Sequence, residues 1–180
     1  VKRILLPFTG GYIAPKATIR ISDKPIPSSH GLKEGTLLAT IKVARFGKTW
    51  VRKIYEGTNS ERVLNKLGVG HYEETELPGE PGNFAIAGHR FAYGGAFLNI
   101  DKLKAGDIAT VETKTAIYTY KWLQTAVVPP SAVGVVAQKP VGLKGAVDGG
   151  QYLTLTSCTP VHINTSRIAA WFSLQSVDAK

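Results

Sequence analysis

LTLTSCTP, residues 153–160, alternates apolar and mostly hydroxyl-bearing residues and then stops at a proline. This is the pattern of a strand, whose successive side chains point to opposite faces. Leu153 and Leu155 share a face that belongs in a core, while Thr154, Thr156 and Cys158 share the other. RIAAWFSL, residues 167–174, repeats the pattern. Ile168, Ala170, Phe172 and Leu174 form one apolar face, and Arg167, Ala169, Trp171 and Ser173 the other. If the two strands are neighbours joined by the loop 159–166, Cys158 leaves one and Arg167 enters the next at the same end. A thiol and a guanidinium then lie close together, and nearby positive charge favours the thiolate.

Cys158 is the only cysteine, so no internal disulfide forms. Three readings are open: inert burial, metal ligation and nucleophilic catalysis. Free cysteine is among the most buried residue types. A zinc site drawn from His89, Cys158 and His162 lacks the paired spacing of CxxC or HExxH. A nucleophile needs an acid–base partner, usually histidine, and the chain has four. His30 lies in the N-terminal segment, His71 follows a helix stop, and His162 sits in the 159–166 loop. His89 ends the short apolar run NFAIAG (83–88) and opens a glycine-broken segment. That is how a side chain is presented at a barrel rim. A lone histidine is more often structural than catalytic, so the residues alone leave the choice open.

Composition narrows the class. At 180 residues and 43% hydrophobic content, the chain suits one domain with an ample core. Nineteen glycines and ten prolines, with many β-branched and tyrosine residues, suit many strands and turns. No run of about 18 apolar residues is present, and no signal peptide is visible. The net charge is +9. Residues 1–53 hold eleven Lys and Arg against only Asp23 and Glu34, and the rest of the chain is neutral. Such a segment is drawn to anionic lipid or polymer, though solvated lysines that aid solubility explain the charge equally well. The basic residues are scattered and lack interleaved aromatics or a binding motif, which argues against nucleic acid as a partner.

Along the chain, residues 1–35 are proline-punctuated and read as an extended basic arm. TLLATIKVARF (36–46) and TWVRKIYEG (49–57) read as strands. TNSERVLNKLGVG (58–70) reads as a helix, with Thr58 and Glu61 as a capping box and Gly68 or Gly70 as its stop. EETELPGEPG (73–82) is an acidic loop and NFAIAG a buried strand. DIATVET (107–113) and AIYTYKWLQTAVV (116–128) pair as a hairpin, with Tyr118, Tyr120 and Trp122 on one face. Residues 129–150 form a long connection with a short helical turn. Many short strands with little helix predict an all-β, closed β-barrel.

Three stretches in order then carry a resemblance. TLTSC (154–158), with Arg167 nine residues on, resembles the sortase signature TLxTC…R. GNFAIAGHR (82–90) is similar to the sortase histidine motif in the form typical of class E sortases of actinobacteria. GHYEETELPGEPGNF (70–84) and LKAGDIATVET (103–113) fit the same class. The similarity covers about residues 40–175. One departure is Ser157, where the usual motif has threonine: the hydroxyl survives and the stiffening β-branch is lost.

The resemblance implies an eight-stranded sortase-type barrel over residues 36–177, preceded by the arm 1–35. It implies a transpeptidase that cleaves an LPxTG or LAxTG sorting signal between Thr and Gly and joins the Thr to an amine. Cys158 would be the nucleophile, His89 the general acid and base, and Arg167 the oxyanion or peptide-holding group. Thr156, Ser157 and Tyr93 are candidate substrate contacts, and Val133, Val135 and Val136 stand where the signal pocket is walled in the family. No cofactor or metal is implied. The expected partners are the signal peptide of secreted proteins and a lipid II-like cell-wall precursor amine. The expected location is the outer face of a Gram-positive bacterial membrane, held by an N-terminal anchor upstream of this chain, with the arm beside anionic lipid. A pilus-assembling sortase with a lysine acceptor and a non-catalytic peptide-binding barrel are the alternatives. ISDKPIPSS (21–29) lacks the Asp-Pro-aromatic lid motif of some pilus sortases.

Overall fold

The computed structural model describes residues 4–5 and 30–180. Most of the basic arm expected over 1–35, including the 21–29 stretch, therefore lies outside the described residues. The strands are β1 (Ile4–Leu5), β2 (Leu37–Val43), β3 (Val51–Glu56), β4 (Val69–His71), β5 (Gly82–Gly88), β6 (Ile108–Glu112), β7 (Ala116–Val128), β8 (Gln151–Thr159) and β9 (Ser166–Ala179). Eight of them stand side by side in the order β7-β6-β2-β3-β4-β5-β8-β9, and β9 pairs back onto β7. The sheet thus closes into an eight-stranded all-β barrel, which removes its free edges. The two-residue β1 pairs parallel to β7 and takes no part in the closure.

The alternation read from sequence sets the two faces of β8 and β9. Leu153, Leu155, Ile168, Ala170 and Phe172 point inward and are fully buried with Phe84 and Ile86 of β5, Ile41 of β2 and Val111 of β6. Tyr120 of β7 joins them, flanked by the half-buried Tyr118 and Trp122. Each such side chain contributes about 1.5–3 kcal/mol of burial. A second cluster lies on the outer face. Ala169 and Trp171 of β9, Tyr152 of β8 and Ala126 of β7 pack against Ala132, Val135 and Leu143. The long connection 129–150, with its 3₁₀ turn Val133–Val136, therefore roofs the outside of β8 and β9. Apolar residues on both faces of these strands reflect burial on both sides.

Polar ties fix this roof. The buried Trp171 indole donates to the Val135 carbonyl at 3.0 Å. The Asn83 amide donates to the Ala137 carbonyl at 3.0 Å and accepts from the Thr154 hydroxyl at 2.6 Å.

Two expectations are corrected. The helix over 58–70 is a single π-helical turn, Ser60–Leu64. Its cap is Asn59, whose side chain accepts from the Arg62 amide, because the Thr58 hydroxyl is engaged with Glu73 instead. Only Val63 of that turn is buried, and Leu67 is exposed, so no amphipathic face sustains a longer helix. The end of the stretch is instead β4, three buried residues that bridge β3 and β5.

Trp171→Ala is expected to lower stability by about 3–5 kcal/mol. Trp171→Phe, which keeps most of the apolar area and loses the bond to Val135, should cost about 1–2 kcal/mol. Urea unfolding of both checks this, and equal losses would contradict a separate role for the indole hydrogen bond.

Candidate active site

The register of three adjacent strands assembles the candidate site. β5 and β8 are parallel, with Ala87 beside Thr156. β8 and β9 are antiparallel, with Thr156 opposite Ala169 and Cys158 opposite Arg167. One pleat beyond Ala87 comes His89. His89, Cys158 and Arg167 therefore form a row across three strands, on the outward face shared with Thr156 and Ala169. The row lies on the outer wall near the strand ends, not inside the mouth of the barrel.

Neighbouring residues hold this row in place. A Cβ added to Gly88 would come within 2.9 Å of the Phe97 ring and 3.3 Å of Ala96, so only glycine lets β5 lie flat there. Ser157 is buried on the inward face, and its hydroxyl donates to the Gly88 carbonyl at 2.7 Å. The hydroxyl expected to meet substrate thus clamps β8 to β5 directly beneath the site. Thr156 is likewise buried, its hydroxyl bonded to the Tyr72 hydroxyl at 2.8 Å and to the Ile86 carbonyl at 3.3 Å.

A cleft of about 210 Å³ opens over His89 and Cys158, lined by these two with Arg90, Phe91, Ala92, His162 and Asn164. Cys158 and His89 are each half-buried, so both are accessible from it. Arg90 is buried beneath. It pairs with Asp101 at 2.9 Å and donates to the Leu98 carbonyl at 2.9 Å and the Thr159 hydroxyl at 3.3 Å. These bonds pin the 90–103 loop to the end of β8. Tyr93 is exposed, with its ring 5.0 Å from that of His89. Val135 is buried in the roof and Val136 packs against it.

The electrostatics are asymmetric. Burial pushes the His89 imidazole below its ordinary value. Its Nε2 donates to the side-chain oxygen of Asn65 at 2.7 Å. That bond leaves Nδ1 as the free nitrogen of the neutral ring. The Arg167 guanidinium does not line the cleft. It is half-buried and donates to the carbonyls of Asn164 at 3.3 Å and Ser166 at 3.1 Å. Arg167 is thus a backbone neighbour of Cys158 whose head group bonds its own loop.

Two residues escaped the sequence reading. Asn65 ends the π-helical turn and reaches His89 from 24 positions away, a contact without periodicity to betray it. Tyr72 follows β4, and burial raises its pKa, with Arg167 and Cys158 both within electrostatic reach. Its position inside the GHYEETELPGEPGNF segment was the available signal.

The fold and site together define a class: a closed β-barrel with a lone thiol and an imidazole sharing one outer cleft. Comparison with known proteins gives this class a family. Residues 41–175 match the sortase domain. The chain is 40% identical over 126 residues to sortase SrtE1 of Streptomyces coelicolor, covering 66% of this chain. The match spans only 35% of that relative's length. The structure of sortase E from Streptomyces avermitilis superposes with a TM-score of 0.73 at 34% identity, covering 82% of this chain and 93% of that one. Sortase E1 from Streptomyces coelicolor, solved with a tripeptide in its active site, gives 0.75 at 33% identity, covering 81% and 91%. The chain belongs to the sortase family, and these relatives are class E sortases.

Asn65→Ala should lower turnover up to about tenfold, the worth of one hydrogen bond. Asn65→Asp should raise the His89 pKa, because a carboxylate favours imidazolium. An NMR titration of the His89 ring in the parent should give a midpoint below 6.5, and an upward move in Asn65→Asp. A midpoint that ignores both substitutions contradicts a positioning role for Asn65.

Proposed function

We propose that this chain is the catalytic barrel, residues 36–177, of a class E sortase, preceded by a basic arm, residues 1–35. The reaction is cleavage of an LPxTG or LAxTG signal between Thr and Gly, followed by transfer to an amine. The observation that carries it is His89 and Cys158 lining one cleft, with Arg167 paired to Cys158 on the next strand, in a chain of this family. Cys158 attacks the Thr carbonyl carbon as a thiolate. The tetrahedral intermediate expels the glycine amine, which takes a proton from the His89 imidazolium, leaving a thioester. His89, now neutral, accepts a proton from the incoming amine as that amine attacks the thioester and the thiolate departs. General acid–base help of this kind contributes typically ~10²–10⁴-fold. Arg167 stabilises the oxyanion or holds the peptide once its head group leaves the Asn164 and Ser166 carbonyls. Tyr93, at the cleft edge, is the substrate contact retained from the sequence reading; Thr156 acts through Tyr72 and Ser157 through β5.

Because burial keeps His89 below its ordinary pKa, the neutral ring dominates at pH 7. The imidazolium that the first step needs is then a minority form at pH 7, and its share grows as the pH falls.

The acceptor in this reading is a cell-wall precursor amine at the outer face of the membrane. No helix among the described residues is long and apolar enough to cross a membrane. The +9 charge of residues 1–53 suits a place beside anionic lipid.

Mass spectrometry after incubation with LPxTG and LAxTG peptides should find a thioacyl adduct on Cys158, absent from Cys158→Ala. Cys158→Ala should cleave at least 10³-fold more slowly, since loss of a nucleophile removes the covalent path. Equal cleavage by parent and variant would sink the enzyme reading and favour a peptide-binding barrel.

A further inference from the structure

The LPxTG sequence proposed as substrate also stands in the chain's own arm. Residues 6–10 read Leu6-Pro7-Phe8-Thr9-Gly10, with Phe8 at the free position. Four fixed residues out of five arise by chance on the order of once in a hundred chains of this length. Composition alone therefore accounts poorly for them.

The fold places this stretch between two fixed points. Upstream, β1 leads directly into it. The β1 backbone pairs parallel with β7, Ile4 beside Ala126 and Leu5 beside Val127. The next residue of β7, Val128, pairs with Arg167, and Arg167 pairs with Cys158. β1 thus runs toward the end of the barrel that carries the nucleophile. Downstream, the His30 ring donates to the Thr75 carbonyl at 3.0 Å, which ties the arm to the barrel. A cut between Thr9 and Gly10 therefore severs β1 from the rest of the fold.

Length limits how that bond meets a sulfur. In the order β1-β7-β9-β8, β1 lies three strand spacings from β8, about 14 Å. Cys158 also lies one residue beyond the level of Leu5. Thr9 is four residues on from Leu5, and four residues span at most about 14 Å. No slack remains for a peptide laid over the outer face. The bond reaches the chain's own sulfur only when the two-residue β1 leaves β7. The sulfur of a second copy carries no such limit.

We propose that the Thr9–Gly10 bond is itself a substrate of this enzyme, cut by the same chain once β1 leaves β7 or by a second copy. The inference rests on the transpeptidase reading and names a substrate for it. The Cys158 thiolate attacks the Thr9 carbonyl carbon. The carbon–nitrogen bond to Gly10 breaks with its electron pair on nitrogen, which takes a proton from the His89 imidazolium. Residues 1–9 are left as a thioester on Cys158. A primary amine attacks that thioester, its proton passes to neutral His89, and the sulfur departs as thiolate. The barrel then begins at Gly10 without β1, and residues 1–9 end on the amine.

The test incubates the parent with Gly-Gly-amide and follows intact mass. The expected products are a chain beginning at Gly10 and residues 1–9 joined to Gly-Gly-amide. Cys158→Ala alone should stay whole, and its cleavage at Thr9–Gly10 would assign the cut to a contaminating protease and overturn the proposal. Leu6→Ala should process its arm about ten- to hundredfold more slowly, the worth of one buried leucine, while cleaving a free LPFTG peptide at the parent's rate. Equal processing of parent and Leu6→Ala overturns the proposal. A first-order rate unchanged by dilution assigns the cut to the same chain. A rate that rises with concentration, with cutting of Cys158→Ala by added Leu6→Ala, assigns it to a second copy. An arm that stays whole while the free peptide is cleaved overturns the proposal and leaves the transpeptidase reading standing. If the free peptide is untouched as well, that reading fails and the proposal with it.

Discussion

β5, β8 and β9 lie side by side, and the pairing of Cys158 with Arg167 and of Thr156 with Ala87 fixes what can meet at their ends. A slip of one residue in β8 would turn Cys158 inward among Leu153, Leu155 and Phe172 and bring Ser157 out in its place. Register is held against that slip by the core. Two buried leucines and the hydroxyl of Ser157, bonded to Gly88, all favour one alignment. The site is thus a by-product of packing on the opposite face: the same alternation that fills the barrel aims the sulfur outward.

Closure of the barrel adds a second constraint. Its interior is filled with side chains, leaving no room there for a peptide. Substrate chemistry must take place on the outer wall, which in a small barrel is ordinarily bathed in water. The 129–150 connection and the 90–103 loop change that. The first covers Trp171 and Ala169, and the second is tied down by buried Arg90. The 90–103 loop borders the cleft through Arg90, Phe91 and Ala92, and burial there shifts His89 while Cys158 stays accessible.

How much of this could be read from residues differs by element. β8 and β9 were legible because each alternates over eight residues and has apolar residues on its inward face. The hairpin of β6 and β7 was legible for the same reason. β4 was not: Val69–His71 is too short to show a period, and its glycine mimics a helix stop. The capping box failed because a capping hydroxyl is a local signal, and a distant carboxylate, Glu73, won the Thr58 hydroxyl. At the candidate site, Cys158, His89 and Arg167 were singled out through spacing and resemblance, and register puts them on three adjacent strands. Asn65 and the Phe91–His162 contact join loops, where sequence carries no periodicity, and only the folded chain brings them together. The partner of Ser157 was hidden for a related reason: the structure engages its hydroxyl with the Gly88 carbonyl. Its hydroxyl suggested a ligand contact, but alternation alone already assigned it to the face of Leu153 and Leu155.

The ionic state of the resting site follows from the same shelter. Taking water from His89 disfavours its charged form, and the nearest fixed hydrogen-bond partner, Asn65, is neutral. A carboxylate in that position would hold the ring as imidazolium and orient it equally well. It would also make the ring a poorer base for the incoming amine in the second half of the proposed reaction. A neutral amide fixes the direction of the ring without biasing its charge as strongly. One imidazole can then give a proton in the first step of the proposed reaction and take one in the second.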